Sequence, residues 1–256
     1  RFLKWAALGL AGLLVAGLAF FFLVLPPIAD GMMNRTLVPG PYKASEAAIA
    51  LHQTLMVADL HADSLLFGRD LLQRADYAHV DVPRMIDGNV ALQIFSAVTQ
   101  SPAGLNIESN PADSDQIIFI ALGLRWPMAT WFSNLERAIY QADQLKHMAQ
   151  RSDGQLSVIR NRKELQIFLE RRKRERGIVA GLLAIEGAHA LDGNAANVDL
   201  LFDAGYRMMS GAHFFDNEMA GSAHGEAKGG FTEAGRDMLK RMEAKGMIFD
   251  LSHASS

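Results

Sequence analysis

Apolar positions along this chain fall into two regimes, one unbroken run near the amino terminus and a series of short bursts after it. Between Lys4 and Pro26 the run 5–25 carries no charge. As an α-helix at ~1.5 Å per residue it is about 31 Å long, enough to cross a bilayer once. A signal-peptide core is shorter, about 7–15 residues, and is followed by a small-x-small cleavage site that is not evident here. Arg1 and Lys4 on its amino side favour a cytoplasmic stub of residues 1–4. The remainder is then expected on the far side of the membrane, in the periplasm if the cell is bacterial. Residues 26–44 contain Pro26-Pro27 and Val38-Pro39-Gly40-Pro41 with little periodicity, and they read as a tether.

From residue 45 the pattern is a short apolar burst, a connection with helical spacing, then another burst. Ser45 is placed to cap a helix reaching about Met56, and residues 56–60 make a first strand. A short helix follows Asp81, a turn at Asp87-Gly88-Asn89 leads into a buried strand at 90–98, and 102–114 is a loop rich in Ser, Asn, Gly and Pro. Helices are predicted at about 131–150 and 162–176. Strands are predicted at 178–185, at 206–213 after a helix at about 197–204, and at 247–253 after a helix capped by Thr232. Alternation of this kind argues for parallel β/α units in a single domain, 45–256.

Composition narrows the picture. The formal net charge is −3, which gives no global reason to expect nucleic acid. The basic run Arg171–Arg176 sits at a helix carboxyl end, where cations favour the dipole, and reads as a solvated face. There is no cysteine, so the fold owes nothing to disulfides, and a metal must be held by His, Asp and Glu.

Polar residues at the strand ends then matter. In Val57-Ala58-Asp59-Leu60-His61-Ala62-Asp63, His61 and Asp63 are two apart and point the same way from an extended strand. Glu186, His213 and His253 end three later strands. A β/α barrel gathers such carboxyl ends into one ring, which decides for a barrel over an open doubly wound sheet. No glycine fingerprint for a dinucleotide follows the first strand. His61, Asp63, Glu186 and His253 could build a metal centre, with Glu186 placed between two ions. His213 would face substrate and stabilise charge on a carbonyl oxygen, although a packed histidine beside Phe214 and Phe215 is an ordinary core feature. His52, His79, His147 and His224 have no evident role.

With these segments in view, the chain resembles the membrane dipeptidase (renal dipeptidase) family of zinc peptidases. The matching pieces are Asp59-Leu60-His61-Ala62-Asp63, Val82-Pro83-Arg84 with Gly88 and Gln93-Ile94-Phe95-Ser96, Ile185-Glu186-Gly187-Ala188-His189, Gly205-Tyr206-Arg207 through His213, and Phe231-Thr232-Glu233-Ala234-Gly235 through His253. The resemblance implies a β/α (TIM-like) barrel and two Zn2+ ions, one held by His61 and Asp63, the other by His253, and both by Glu186. It implies that a hydroxide bridging the ions attacks the peptide carbonyl of a dipeptide, with Glu186 and His213 as catalytic residues and His213 contacting substrate. A homodimer and a lipid bilayer, here through residues 5–25, are the further partners implied. The family's pattern goes on past His253 with another histidine, an arginine and an aspartate, and about five of eight barrel strands are present. The expectation is therefore a fragment of a longer protein. Two other readings stay open, a different metal-dependent barrel hydrolase acting on a phosphoester or cyclic amide, and an inactive membrane-tethered metal-binding remnant.

Overall fold

The computed structural model describes residues 1–38 and 40–255. It opens with one continuous helix made of α1 (Phe2–Ala19), a π-turn (Phe20–Val24) and α2 (Leu25–Met33). The sequence predicts that helix to stop where the prolines begin; it runs on to Met33 instead. Pro26 and Pro27 occupy the first turn of α2, directly after the π-turn has shifted the hydrogen-bond register. The N–H groups that proline lacks therefore fall where the ladder is already interrupted.

Much of the stretch expected to be a loose tether is thus helical and held. Asp30 is only 4% exposed and accepts hydrogen bonds from Tyr77 Oη at 2.7 Å and Asn34 Nδ2 at 2.6 Å, with Arg69 Nε 3.6 Å away. The Ala78 N–H donates to the Asn34 carbonyl at 2.8 Å. Pro39, which belongs to the expected tether, and Ser256, the last residue of the expected domain, lie outside the described residues.

The domain proper follows as α3 (Glu46–Thr54), β1 (Val57–Ala62), α4 (Val82–Asp87), β2 (Val90–Ala97), α5 (Ile117–Gly123), α6 (Asn134–Arg151), β3 (Leu156–Val158), α7 (Arg162–Arg172), β4 (Val179–Ile185), α8 (Val198–Ala204), β5 (Tyr206–Ser210), α9 (Glu233–Lys245) and β6 (Ile248–Asp250). Local signals set most helix starts. Ser45, Asp81, Ser133, Asn161 and Thr232 each accept a backbone N–H three residues on, satisfying a donor that the first helical turn leaves free. Gly205 and Gly246 close α8 and α9 in the left-handed region.

The strands form one parallel sheet in the order β1-β2-β4-β5-β6. This is a half-barrel, the opening portion of a TIM-like β/α barrel. β3 is an addition that sequence pattern misses, because three residues carry no readable alternation. It pairs with Val179–Gly181 at the start of β4, while β5 pairs with the end of the same strand. The core between sheet and helices holds Phe95, Leu145, Val179, Leu183, Tyr206 and Met209 among others, and the Tyr206 hydroxyl donates to the Ala138 carbonyl at 2.7 Å. Gly181 permits close packing, since a Cβ there would stand 3.0 Å from the Phe95 ring.

Two strand limits and one surface differ from the sequence reading. β5 ends at Ser210 and β6 at Asp250, so His213 and His253 lie on the turns just beyond their strands, His253 with φ +61°. α7 stops at Arg172, short of Arg176, and the basic run is not wholly a solvated face. Arg172 is fully buried and donates to the carbonyls of Arg176 and Ile178, the latter at 2.6 Å, and to Asn89 Oδ1 at 3.0 Å. Pairing of both terminal nitrogens offsets the cost of burying the guanidinium, while its Nε has no hydrogen-bond partner among the described residues.

Candidate metal centre

Parallel strands put their carboxyl ends on one rim, and there the candidate side chains meet. Glu186 follows β4 and is the hub. His61 Nε2 stands 3.5 Å from its Oε2, while His213 Nε2 and His253 Nε2 stand 3.4 Å and 3.2 Å from its Oε1. His61 Nε2 is also 3.2 Å from Asp63 Oδ1, as the two-residue spacing on an extended strand predicts. Two triplets result, His61 with Asp63 and Glu186, and Glu186 with His213 and His253. Within each, the ligand-capable atoms lie within 4.8 Å of one another. Glu186 belongs to both.

Backbone contacts fix this hub. The Glu186 N–H donates to the Ala97 carbonyl on β2 at 3.2 Å, and the Gly187 N–H donates to Ser210 Oγ at 2.8 Å. Gly187 has φ +103°, and a Cβ there would sit 2.5 Å from the His189 ring. Only glycine fits that conformation and that space. On the next loop, Ser222 Oγ donates to the His213 carbonyl and accepts from the His224 N–H at 3.0 Å, tying two histidines to one hydroxyl.

Electrostatics follow from the geometry. Hydrogen bonds to Asp63 and then Glu186 raise the His61 imidazole to about 10, against the opposing effect of burial. Burial opposes the charge on Glu186, yet hydrogen bonds from His253 and His61 and the nearby His213 outweigh it and hold the carboxyl well below the usual carboxylate range. Desolvation pushes His213 down to about 4 and His189 down to about 3, so both rings are neutral at pH 7. A site that grips a proton this firmly between carboxylates is also built to grip a cation. The Nδ1 atoms of His213 and His253 are buried without a hydrogen-bond partner among the described residues, and the donor set is imidazole and carboxylate throughout. These residues fit divalent metal ions of the zinc type.

Sequence reasoning named all five of these residues and missed their neighbours. His224 Nδ1 lies 2.8 Å from the Ile107 carbonyl, and its ring packs 5.0 Å from Phe214 and 5.2 Å from His253. Phe214 in turn packs against His213 at 4.6 Å and His253 at 5.0 Å, forming an aromatic wall for the cluster. His79 lines a cleft of about 390 Å³ with His61, Asp63, Arg69 and, from the end of α2, Met33 and Asn34. No spacing rule could have joined these, because each comes from a loop whose path is set by the sheet. His147 is exposed, and His52 Nε2 lies 2.9 Å from the Gly88 carbonyl. Neither belongs to the site.

A parallel β/α half-barrel that gathers a carboxylate-centred cluster of histidines at its strand ends places groups able to hold a metal ion where barrel enzymes carry their active sites. The sequence profile of membrane dipeptidase (peptidase family M19) matches residues 45–256, and the chain belongs to that family. An uncharacterised dipeptidase of Schizosaccharomyces pombe is 26% identical over 178 residues, 68% of this chain and 39% of the relative. The dipeptidase tcpJ of Claviceps purpurea is 27% identical over 181 residues, 69% of this chain and 37% of the relative. The chain thus spans about two fifths of the length of these curated relatives. In three dimensions it is similar to a metallopeptidase from Rhodobacter sphaeroides solved with a phosphinate mimic of the dipeptide L-Ala-D-Ala. The TM-score is 0.58 at 21% identity, covering 79% of this chain and 60% of the other. A second neighbour, the metallopeptidase dipeptidase AC, gives a TM-score of 0.57 at 23% identity, covering 79% and 58%. Those two likenesses carry the fold.

Proposed function

We propose that this chain is the amino-terminal part of a membrane-anchored zinc dipeptidase. Residues 5–25 of its helix span the bilayer once, with residues 1–4 in the cytoplasm, and the domain from residue 45 works outside the cytoplasm. The helix Phe2–Met33 is long and apolar enough for that span. The observation that carries the reading is the placement of Glu186 in two ligand triplets at once, the arrangement expected of a carboxylate shared by two ions. His61 and Asp63 would hold one zinc, His253 the other, and Glu186 both.

Bound ions would supply Lewis acidity to the scissile carbonyl and lower the pKa of a water at the site. The chain's own side chains do the rest. Glu186, held ionised by its histidines, balances the positive charge of the centre. His213 is kept neutral by burial, so one ring nitrogen retains its proton at pH 7 and donates to the carbonyl oxygen as negative charge grows there. The wall of Phe214 and His224 limits water around that oxygen. The substrate is a dipeptide, as the family's description and the dipeptide mimic in the Rhodobacter sphaeroides relative suggest.

The test is metal content and turnover in the full-length protein. Two zinc ions per chain and hydrolysis of an alanyl dipeptide are expected, with both reduced in Glu186→Gln. Turnover of a phosphoester without turnover of any dipeptide would overturn the reading, and so would zinc bound with no hydrolysis.

A further inference from the structure

We infer that the surface formed by α5 and the turn Met128–Trp131 is a lipid-binding face, which seats the domain in the outer leaflet beside its own anchor. This rests on the proposed membrane span of residues 5–25 and goes beyond it. A span alone would leave the domain free on a tether, and the structure describes a different relation.

The first observation is how far down the helix the domain reaches. A cavity of about 150 Å³ lies between Phe21, Leu25 and Ala29 of the helix and Phe119, Ile120 and Leu124 of the domain. A larger groove, about 560 Å³, lies between Val15, Leu18 and Phe22 on one side and Leu122, Trp126 and Trp131 on the other. Val15 is ten residues below Leu25, which is ~15 Å along a helix axis. Domain residues opposite Val15–Phe22 therefore stand below the level where the span ends, inside the outer half of a ~30 Å hydrocarbon layer. A domain held clear of the bilayer would touch none of those residues.

The composition of that face is the second observation. Residues 117–132 carry a single charge, Arg125. Phe119 is 62% exposed, Met128 68% and Phe132 84%, and Trp131 stands among them half-buried. Large apolar side chains this exposed are costly in water and favourable at a depth of about 5–10 Å into the headgroup and acyl boundary. Tryptophan is enriched at that level, and Arg125 has the length to reach the phosphate layer.

The third observation is rigidity. Asp30, buried against Tyr77 and Arg69, and the Asn34–Ala78 backbone hydrogen bond fix the helix end on the domain. The anchor therefore sets the angle at which the domain meets the membrane, and both grooves open toward acyl chains rather than water. Acyl chains of the outer leaflet are the occupant, because the grooves are continuous with the face of a helix that itself lies in lipid.

Residues 1–256 contain no cysteine, and with any cysteine in the rest of the full-length protein replaced by serine, single labels report cleanly. Leu14→Cys, Phe119→Cys, Phe132→Cys and, as a control on α7, Lys173→Cys are each labelled with an environment-sensitive nitrobenzoxadiazole dye. The full-length proteins are reconstituted into phosphatidylcholine and phosphatidylglycerol vesicles without spin label, or with a phosphatidylcholine spin-labelled on its acyl chain either near the glycerol or near the chain end. Phe132→Cys and Phe119→Cys are expected to shift to the blue and lose most of their emission to a spin label, and Leu14→Cys to lose its emission to the label near the chain end, while Lys173→Cys keeps its emission with both. Quenching at Leu14→Cys but at neither Phe119→Cys nor Phe132→Cys would overturn the lipid face and leave the anchor standing. Quenching at none of the three would overturn the anchor itself.

Discussion

On the proposed zinc reading a proton and a metal ion compete for the same nitrogen of His61, and that competition can be counted. An unperturbed imidazole at 6.5 is ~0.24 protonated at pH 7, whereas one raised to about 10 is protonated almost completely. Binding of an ion between His61, Asp63 and Glu186 should therefore expel ~1 proton from His61 at pH 7 instead of ~0.24. His61 is 41% exposed, so water screens part of the rise. Keeping only half of it would still leave more than ~0.9 of these groups protonated, and the count survives. The sign is fixed as well. Raising the pH weakens the proton's hold, so apparent zinc affinity should climb about tenfold per pH unit until the pH passes the raised value. The assay is calorimetric titration of the metal-stripped protein with zinc at pH 7 in buffers of different ionisation enthalpy, with His61→Ala as the comparison that removes this proton. A difference between the two proteins near ~0.24, or an affinity that stays flat from pH 6 to 8, would refute the reasoning.

Other consequences are as direct. His213→Ala removes the neutral donor expected at the carbonyl oxygen and should lower kcat for a dipeptide ~10²–10³-fold while leaving KM within a few-fold, measured by steady-state kinetics; an unchanged kcat would remove His213 from the chemistry. Gly187→Ala forces a left-handed φ on a side chain and drives its Cβ against His189, so it should cost at least ~2 kcal/mol, seen as a lower Tm. Asp30→Ala removes the acceptor of Tyr77 Oη and leaves Asn34 Nδ2 only the residue-30 carbonyl, and it should loosen the helix end by about 1–3 kcal/mol. Hydrogen exchange at the Ala78 amide, which donates to Asn34, should then quicken ~5–150-fold; exchange at the original rate would mean the helix is held by its apolar contacts alone.

What was legible in the sequence is what short-range physics decides. Ser45, Asp81 and Thr232 cap helices through contacts three residues away, so local order alone predicts those starts. The two-residue repeat of an extended strand puts His61 beside Asp63 in any fold that contains the strand. Parallel β/α alternation carried Glu186, His213 and His253 to one rim, because connections of that kind can only return strands in the same direction. Tertiary structure decided the rest. The prolines at 26 and 27 look like a helix stop until a π-turn and a buried Asp30 show how the helix passes them. Arg172 looks like solvent-facing charge until Asn89 and the carbonyl of Ile178 turn out to wait inside. His224, Phe214 and His79 reach the centre on loops more than ten residues from any ligand that precedes them or lie beside one with no periodic signal. Such proximity is a property of how the sheet brings distant turns together, and a local pattern carries no information about it. Residue types and their spacing nominate the side chains able to hold a cation, whereas which of them meet follows from hydrogen bonds and packing between residues far apart along the chain.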